Sequence, residues 1–455
     1  MAMSKQVSQR QGDLWVASTE IVQGPGHPFY RKLNQVLAKA GFDGFVEQRC
    51  ASFYAPTMGR PSVAPGVYFR MLLIGYLEGI DSERGIAWRC ADSLGLRTFL
   101  GYTVTEQTPD HSTLSVIRQR IDLGTHQEVF AWVLTVLSDK GLLKGKTVGV
   151  DATTLEANAA MRSIVQRDTG QSYQDFLTQL AKASGIETPT REDLAKVDRH
   201  RKRKGSNDDW YNPNDPEAKI TKMKDGRTHL AHKAEHAVDL QTGAILAVTI
   251  QQADEGDTST LFVTVDAAES NLEAVQEQTQ AGSRLSEGGV EEVVADKGYH
   301  SNETMTELKG REIRSYVSEP RRGRRCWQDQ GEEQAAVYAN RRRIRGDRGK
   351  RLLRRRGELV ERPFAHCYET GGMRRVHLRG HTNILKRLLI HVAGFNLALV
   401  MRSMFGLGKP RRLQGGLLHV LAAIWGLVFR RWRVRTAFWR SMWPSTDFIP
   451  CRLVA

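Results

Sequence analysis

Hydrophobic residues recur with a helical period through the first third of the chain. Phe29, Leu33 and Leu37 are spaced four residues apart, as on one face of a helix. Residues 67–77 are apolar almost throughout, which is typical of a helix buried on all sides. The pattern predicts a flexible leader over residues 1–26, followed by an all-α N-terminal domain over residues 27–140.

Two further helices are predicted inside this domain. The first ends at Gly95, and the second begins after the capping signal Thr108-Pro109-Asp110-His111-Ser112. Arg118 and Arg120 are expected to face solvent. Such a pair is either a helix-turn-helix DNA reader or a plain helical packing module, and the connection is longer than the tight turn of the DNA-reading motif.

The period then changes to that of β-strands. A short apolar run, Val148 to Val150, is predicted to be a strand that stops on Asp151. A second run, residues 291–295, ends on Asp296 and is followed by a turn signal. Either aspartate alone could merely cap a turn. Two strands that each end on a carboxylate instead indicate a site at the edge of an open α/β sheet.

The intervening segments complete an α/β order. Residues 160–226 are polar and uneven, with short helices near 172–182 and 190–204, and are interpreted as an insertion after the first strand. Residues 234–240 and 244–251 form a hairpin around Gly243, a helix follows at 258–272, and residues 313–317 form another strand. This order predicts a mixed sheet in a domain spanning residues 141–400. Residues 401–455 are predicted to be a basic, helical C-terminal extension.

Composition narrows the class of partner. The net charge is +15 and the isoelectric point is near 9.7, which favours a polyanion such as DNA over a neutral ligand. Five widely spaced cysteines give neither a disulfide framework nor a zinc-ribbon spacing, in keeping with the cytoplasm. The most apolar window, residues 413–429, is shorter than a membrane span and is interpreted as a buried helix.

The positive charge is concentrated in two stretches. Ten of the sixteen residues from 341 to 356 are Arg or Lys, and a shorter run occupies residues 199–204. A solvated helix face normally mixes both signs, so the longer run predicts a DNA contact, whereas the shorter is equally compatible with a solvated face. The candidate DNA-binding residues are Arg201, Lys202, Arg203, Lys204, Lys297, Arg341, Arg342, Arg343, Arg354, Arg355 and Arg356.

The chemistry that these residues support is phosphodiester cleavage. Mg²⁺ or Mn²⁺ binds hard carboxylate oxygens and neutralises charge on the attacking and leaving oxygens. Asp151 and Asp296 are the first two candidates, with Glu361 or Glu358 as the third. His229, His232 and His236 suggest a rival zinc site, but the alternation after Ala234 favours a strand and therefore structural or DNA-contacting histidines. The sequence has no phosphate-binding glycine loop of the ATPase or dinucleotide type.

Several motifs together resemble a known family. They are Gly59-Arg60-Pro61 with Tyr68 to Leu72, Thr108 to Leu114, Val150-Asp151-Ala152-Thr153, Lys224 to His229, Ala295-Asp296-Lys297-Gly298-Tyr299, and Val360-Glu361-Arg362-Pro363-Phe364. In this order they resemble bacterial insertion-sequence transposases with a DDE triad, of the group around the IS4, IS5 and IS1182 families and most like IS1182. The resemblance covers residues 27 to 400.

The resemblance implies an RNase H-like catalytic domain and Mg²⁺-dependent cleavage and strand transfer at the element's terminal inverted repeats. It implies a catalytic and metal-binding triad of Asp151, Asp296 and Glu361. It also implies a homo-dimer assembled on terminal-repeat and target DNA in the bacterial cytoplasm, associated with the nucleoid and not with a membrane. One motif departs from the family: Gly357 and Arg354 stand where Arg and Tyr are expected before the glutamate, and Tyr368 stands in place of Lys.

Three functions remain open at this point. The first is an active transposase, because all the candidate carboxylates are present. The second is a catalytically inactive DNA-binding derivative of a transposase. A metal-dependent nuclease on the same fold is a third reading, distinguished only by its lack of strand transfer.

Overall fold

Every regular element described in the N-terminal part of the chain, from residue 26 to residue 139, is a helix. The computed structural model describes residues 26–55, 62–200, 205–223, 226–278, 285–286, 288–321, 323 and 325–410. The predicted leader and most of the C-terminal extension therefore lie outside the described residues. The first helices are α1 (Pro28–Lys39), α2 (Phe42–Cys50), α3 (Pro65–Glu78), α4 (Glu83–Asp92), α5 (Leu94–Leu100), α6 (His111–Arg120) and α7 (Leu123–Asp139).

Capping side chains explain where these helices begin. Asp110 accepts a hydrogen bond from the Thr113 backbone N–H and starts α6, which confirms the predicted capping signal. The prediction that a helix ends at Gly95 was wrong. Ser93 separates two helices instead. Its extended backbone ends α4, and its hydroxyl accepts a hydrogen bond from the Leu96 N–H to begin α5.

Arg118 is buried, so the prediction that it faces solvent was also wrong. Its guanidinium lies 2.9 Å from Glu83 Oε1 and also donates to Asn383 Oδ1, a residue far along the chain. A buried arginine is tolerated where its charge is paired and its N–H groups are used. The amphipathic pattern could not reveal this pairing.

A mixed sheet forms the second part of the molecule. The strands of the chain are β1 (Thr147–Glu156), β2 (Val165–Gln166), β3 (Trp210–Tyr211), β4 (Lys219–Lys222), β5 (Thr228–Asp239), β6 (Ile245–Gln252), β7 (Glu292–Ala295) and β8 (Arg314–Val317). The order in the mixed sheet is β4-β5-β1-β7-β8, with β6 also paired to β5. β1 runs antiparallel to β5 and parallel to β7, and β7 is parallel to β8.

The chain between β1 and β4 carries its own small core. Trp210, Ile164 and Leu230 pack together there with Ala157 and Ala218. The two-stranded β2–β3 sheet and helices α8 (Tyr173–Ala183) and α9 (Arg191–His200) belong to this segment. The predicted insertion, residues 160–226, extends too far, because β4 pairs with β5 in the mixed sheet. The predicted hairpin around Gly243 is also confirmed, as β5 and β6.

Helices cover both faces of the sheet. The remaining ones are α10 (Asp257–Gln278), α11 (Asn302–Gly310), α12 (Gly331–Arg345), α13 (Asp347–Phe364) and α14 (His381–Phe405). Val360 of α13 packs on one face, against Gly149 of β1. Thr260 of α10 lies on the other face, against Glu235 of β5. The sequence prediction of an α/β fold with a mixed sheet and a helical N-terminal region is confirmed.

The last described helix joins the two parts. Arg387 of α14, 2% exposed, donates to the carbonyls of Leu72 and Ile80 in the helical part. Asn396, further along the same helix, forms hydrogen bonds with both the backbone N–H and the backbone carbonyl of Ile245 in β6. Of the described helices, α14 alone is long and apolar enough to span a membrane, but 89% of its most apolar window is buried inside the protein. It is therefore the shared core helix.

Candidate active site

The sequence predicted that the first strand ends at Asp151. In the structure β1 continues to Glu156, so Asp151 lies within the strand. What ends beside Asp151 is the parallel pairing with β7, in which Gly149 is the last paired residue and faces Val294. Two residues further along each strand, Asp151 and Asp296 come level with each other. The sheet therefore presents both aspartates where its parallel strands diverge, which is where open α/β sheets place ligands.

Asp296 begins a tight turn. It caps a 3-10 turn over Lys297–Tyr299, in which the Gly298 N–H donates to Asp296 Oδ1 at 2.8 Å. This bond fixes the carboxylate at the end of β7 and leaves its other oxygen available. Lys297 is exposed beside it.

The side chain of α13 that reaches Asp151 is Arg356. Its Nη2 lies 2.8 Å from Asp151 Oδ2, and the guanidinium also donates to the Val150 carbonyl. Both side chains are largely buried, with 12% and 23% of their surfaces exposed. A cation from the chain itself thus neutralises the first carboxylate.

Neither glutamate of α13 lies on this face. Glu361 is five residues after Arg356 and Glu358 two, which places each about 140–160° around the helix axis from it. Both are exposed, and Glu358 pairs instead with Arg362 at 2.7 Å. The structure brings Asp151 and Asp296 together, whereas Glu361 and Glu358 project from other faces of α13 than Arg356 does.

A third carboxylate does approach the two aspartates. Asp257, the first residue of α10, lies against Gly298, so closely that a Cβ at Gly298 would collide with its Oδ2. The same Cβ position is 3.1 Å from Asp296 Oδ1. Glycine at this place is what allows Asp257 and Asp296 to lie side by side. Lys233 of β5 pairs with Asp257 at 2.7 Å and holds it there.

Burial and neighbouring charges change the pKa of Asp151. Burial raises the pKa of Asp151 to about 6, and the negative charges of Asp296 and Asp257 add to the increase. The positive charge of Arg356 and the Ala152 N–H act in the opposite direction. The net increase shows that Arg356 offsets only part of the cost of a buried carboxylate.

The predicted DNA-binding residues have mixed placements. Arg342 and Arg354 are exposed. Arg341 pairs with Glu319, Arg343 donates to Ser315, and Arg355 donates to the Gln241 carbonyl. Arg356 is engaged with Asp151, so in this arrangement its guanidinium is not presented to DNA. Arg201, Lys202, Arg203 and Lys204 lie outside the described residues.

The three histidines of the rival zinc site lie on β5 and have separate surroundings. His232 lies 3.1 Å from both Asp215 and His381, whereas His236 contacts the Tyr368 hydroxyl at 2.6 Å. Burial lowers the pKa of His236 to about 3 and keeps it neutral. Within the described part of the chain, no group of three or more His, Cys, Asp or Glu side chains is arranged to hold a metal ion. His232 and His236 are buried among side chains of the protein, whereas His229 is partly exposed.

Two families of known proteins match the chain. A transposase domain (DUF772) matches residues 18–120, a range that includes α1 to α6, and a transposase DDE domain matches residues 185–397. Together they cover more than two thirds of the chain. The chain is a DDE transposase of the insertion-sequence type.

The matched DDE region bears on the site residues of this transposase. It includes Asp296, Glu358 and Glu361 but begins after Asp151. The DDE domain implies an RNase H-like fold, with which the mixed sheet agrees. No curated protein and no solved structure matches the transposase.

The donor chemistry of the site fits a divalent metal through two residues. Asp151 and Asp296 offer hard carboxylate oxygens from adjacent strands, the ligands that Mg²⁺ and Mn²⁺ prefer. Asp257 adds a further negative charge beside them. A metal at Asp151 would have to take the place of Arg356, which now occupies the carboxylate oxygen.

Sequence reasoning missed Asp257, Lys233, Glu235 and Tyr299. Lys233 and Glu235 are charged residues within β5, and charges inside a strand of the central sheet were the signal that could have identified them. β5 is covered on both faces, and both residues are buried. Asp257 gave no signal beyond an acidic residue at the start of a helix.

Proposed function

We propose that this transposase binds the terminal inverted repeats of its element and catalyses metal-dependent DNA cleavage and strand transfer. The observation that carries the proposal is the placement of Asp151 and Asp296 at the same level on two adjacent parallel strands. The two family matches support it independently. We assign the catalytic and metal-binding triad to Asp151, Asp296 and Glu361.

The chain's own residues prepare the site for an anionic substrate. Asp151 and Asp296 would hold Mg²⁺ or Mn²⁺, which supplies charge neutralisation and an activated hydroxyl when bound. Arg356, once released from Asp151, would lie beside the scissile phosphate, where a guanidinium can pair with two phosphate oxygens. Phe364, Tyr368 and His236 pack together next to Asp151 and exclude water from that side.

Glu361 must move to complete the triad. The end of α13 is a place where movement is inexpensive, because Pro363 lacks a backbone N–H and a π-helical turn, Ala365–Glu369, follows directly. We propose that metal or DNA binding displaces Arg356 and turns this part of the helix so that Glu361 faces the aspartates. Glu358 is the competing third ligand, but its ion pair with Arg362 would have to break.

DNA binding would use exposed cations near the site. Lys297, Arg342 and Arg354 project to solvent close to Asp296 or along α12 and α13. We propose that they contact phosphates of the terminal repeat or of the target DNA, with the Arg201–Lys204 run as a further contact. A dimer assembled on DNA would bring the two ends together. Such a protein acts in the cytoplasm, on the nucleoid.

A second function is favoured by the ion pair at the site. Arg356 occupies Asp151, as expected of a DNA-binding transposase derivative that has lost catalysis. The two functions differ in whether metal displaces Arg356. Binding of DNA ends is common to both.

The deciding experiment is cleavage of linear DNA carrying the flanking inverted repeats, with Mg²⁺. Wild type is compared with Asp151→Asn, Asp296→Asn, Glu358→Gln and Glu361→Gln. We expect end-specific nicking and joining to disappear in both Asp variants and in Glu361→Gln, and to persist in Glu358→Gln. Loss of nicking and joining in Glu358→Gln, with activity retained in Glu361→Gln, would make Glu358 the third ligand in place of Glu361. A wild type that binds these ends but never cuts them would establish the inactive derivative.

A further inference from the structure

Glu235 is a fully buried carboxylate behind the two aspartates. It lies on β5 with none of its surface exposed, and burial raises its pKa. Three hydroxyl groups donate to it: Tyr299 at 2.7 Å, Thr260 at 3.0 Å, and Thr264. A carboxylate so far from water is costly unless its oxygens are used in this way.

The partners of Glu235 come from the elements that carry Asp296 and Asp257. Tyr299 follows Asp296 by three residues and closes the same 3-10 turn. Thr260 follows Asp257 by three residues, in the first turn of α10. Glu235 itself is paired across the sheet with Ala152, the neighbour of Asp151. One buried group therefore links three otherwise separate segments.

Lys233 extends the network and balances its charge. Its Nζ donates to Thr260 Oγ1 at 2.9 Å and to the Glu255 carbonyl at 3.2 Å, in addition to its ion pair with Asp257. Thr260 thus accepts from Lys233 and donates to Glu235. Every polar group in this chain of contacts has a partner, the condition under which a buried polar network makes its surroundings rigid.

We propose that Glu235 and Tyr299 are positioning residues that set the spacing of the catalytic aspartates. The inference rests on the proposed function. Tyr299 is 1% exposed and cannot touch DNA, so any effect on the reaction must pass through the turn that carries Asp296. Hydrogen bonds around ligating carboxylates commonly fix their orientation, and removing them weakens metal binding or activity by about 10- to 100-fold.

The test uses the full chain with Tyr299→Phe, which removes one hydroxyl and keeps the ring. Glu235→Gln, which keeps the shape of the side chain, is the second variant and serves if the first does not fold. The control is Tyr68→Phe, because the Tyr68 hydroxyl is also buried and bonded, to His126 at 3.1 Å, but lies in the helical part. Mn²⁺ affinity is measured by calorimetry without DNA, and kcat and KM by cleavage of terminal-repeat DNA.

We expect Tyr299→Phe to bind Mn²⁺ about tenfold more weakly and to lose about 10- to 100-fold in kcat, with KM for DNA unchanged. Tyr68→Phe should retain wild-type values. A Tyr299→Phe protein that binds and cleaves like wild type overturns the inference alone and leaves the proposed function standing. Equal losses in Tyr68→Phe also overturn it, because they show a general loss of stability. If wild type binds no Mn²⁺ and does not cleave, the proposed function fails and this inference fails with it.

Discussion

Arg356 Nη2 lies 2.8 Å from Asp151 Oδ2, so a cation of the chain holds the oxygen that a catalytic metal would need. Replacing Arg356 by Gln removes this competitor. The buried charge of Asp151 is then left for a divalent cation to neutralise. We expect Arg356→Gln to bind Mn²⁺ about tenfold more tightly than wild type in the absence of DNA, a difference of about 1.4 kcal/mol. Isothermal calorimetry measures it directly.

The control for Arg356 is Arg362→Gln on the same helix. Arg362 also forms an ion pair, but with the exposed Glu358, and its removal changes the net charge of α13 by the same amount. We expect no change in Mn²⁺ affinity from this variant beyond weak long-range effects. Equal gains in the two variants would attribute the effect to net charge and would contradict displacement of Arg356 from Asp151.

Gly298 is required for close approach of two carboxylates. A Cβ at this position would collide with Asp257 and would press on Asp296 Oδ1. Gly298→Ala should therefore displace the Asp296 turn and reduce cleavage by at least about tenfold, as expected when a reacting group is misplaced by a fraction of an ångström. Gly310→Ala is the control, since its Cβ would meet open space. Retention of full activity in Gly298→Ala would show that the turn can relax without consequence.

The periodicity of the sequence predicted most strands of the sheet, but it missed β4, which lies within residues 160–226 that were interpreted as an insertion. The β5–β6 hairpin, β7 and the strand that carries Asp151 were each predicted, because alternation and turn residues are local properties. Asp151 and Asp296 were found for the same reason. Each directly follows a short apolar run in the sequence, although β1 continues past Asp151 to Glu156.

Contacts between distant segments could not be predicted from local pattern. The approach of Asp257 to Gly298 joins residues about forty positions apart, and the contact of Arg356 with Asp151 joins residues about two hundred apart. Arg118 was predicted to face solvent, and Glu235 was not singled out, because a charged residue is normally exposed. Only the packed structure shows the partners that make their burial possible.

His126 makes the helical part sensitive to acid. Its Nδ1 donates to the Asp122 carbonyl and its Nε2 accepts from the Tyr68 hydroxyl, so the neutral ring is fully bonded. Burial lowers the pKa of His126 to about 4. In the unfolded chain the histidine has an ordinary pKa near 6.5, so it binds a proton at a pH where the folded protein does not. Stability should therefore fall between about pH 6.5 and 4, by at most about 3 kcal/mol from this residue.

The acid effect is isolated with His126→Gln. A glutamine amide also donates and accepts hydrogen bonds but does not titrate. Urea unfolding at pH 7.5 and pH 5 should show a smaller loss of stability on acidification for the variant than for wild type. His236 and His391, whose pKa values burial also lowers, still contribute in both proteins. An identical pH dependence in the two would show that His126 is already accessible to protons.

Two helix glycines should respond oppositely to the same substitution. Gly75 of α3 lies against the buried guanidinium of Arg387, and a Cβ there would collide with it and with Ile86. Arg387 cannot easily withdraw, because it donates to the carbonyls of Leu72 and Ile80. We expect Gly75→Ala to lower the free energy of unfolding by about 1–3 kcal/mol, the usual cost of overfilling a packed core.

Gly357 of α13 is the matched case, because a Cβ there would meet nothing within 4 Å. Alanine should raise the free energy of unfolding by up to about 1 kcal/mol, through its higher helix propensity. Urea denaturation of both variants, followed by circular dichroism, measures the two signs together. The opposite signs follow only if α14 is packed against α3 through Arg387. A stabilised Gly75→Ala protein would mean that this contact between the helical and sheet parts is loose.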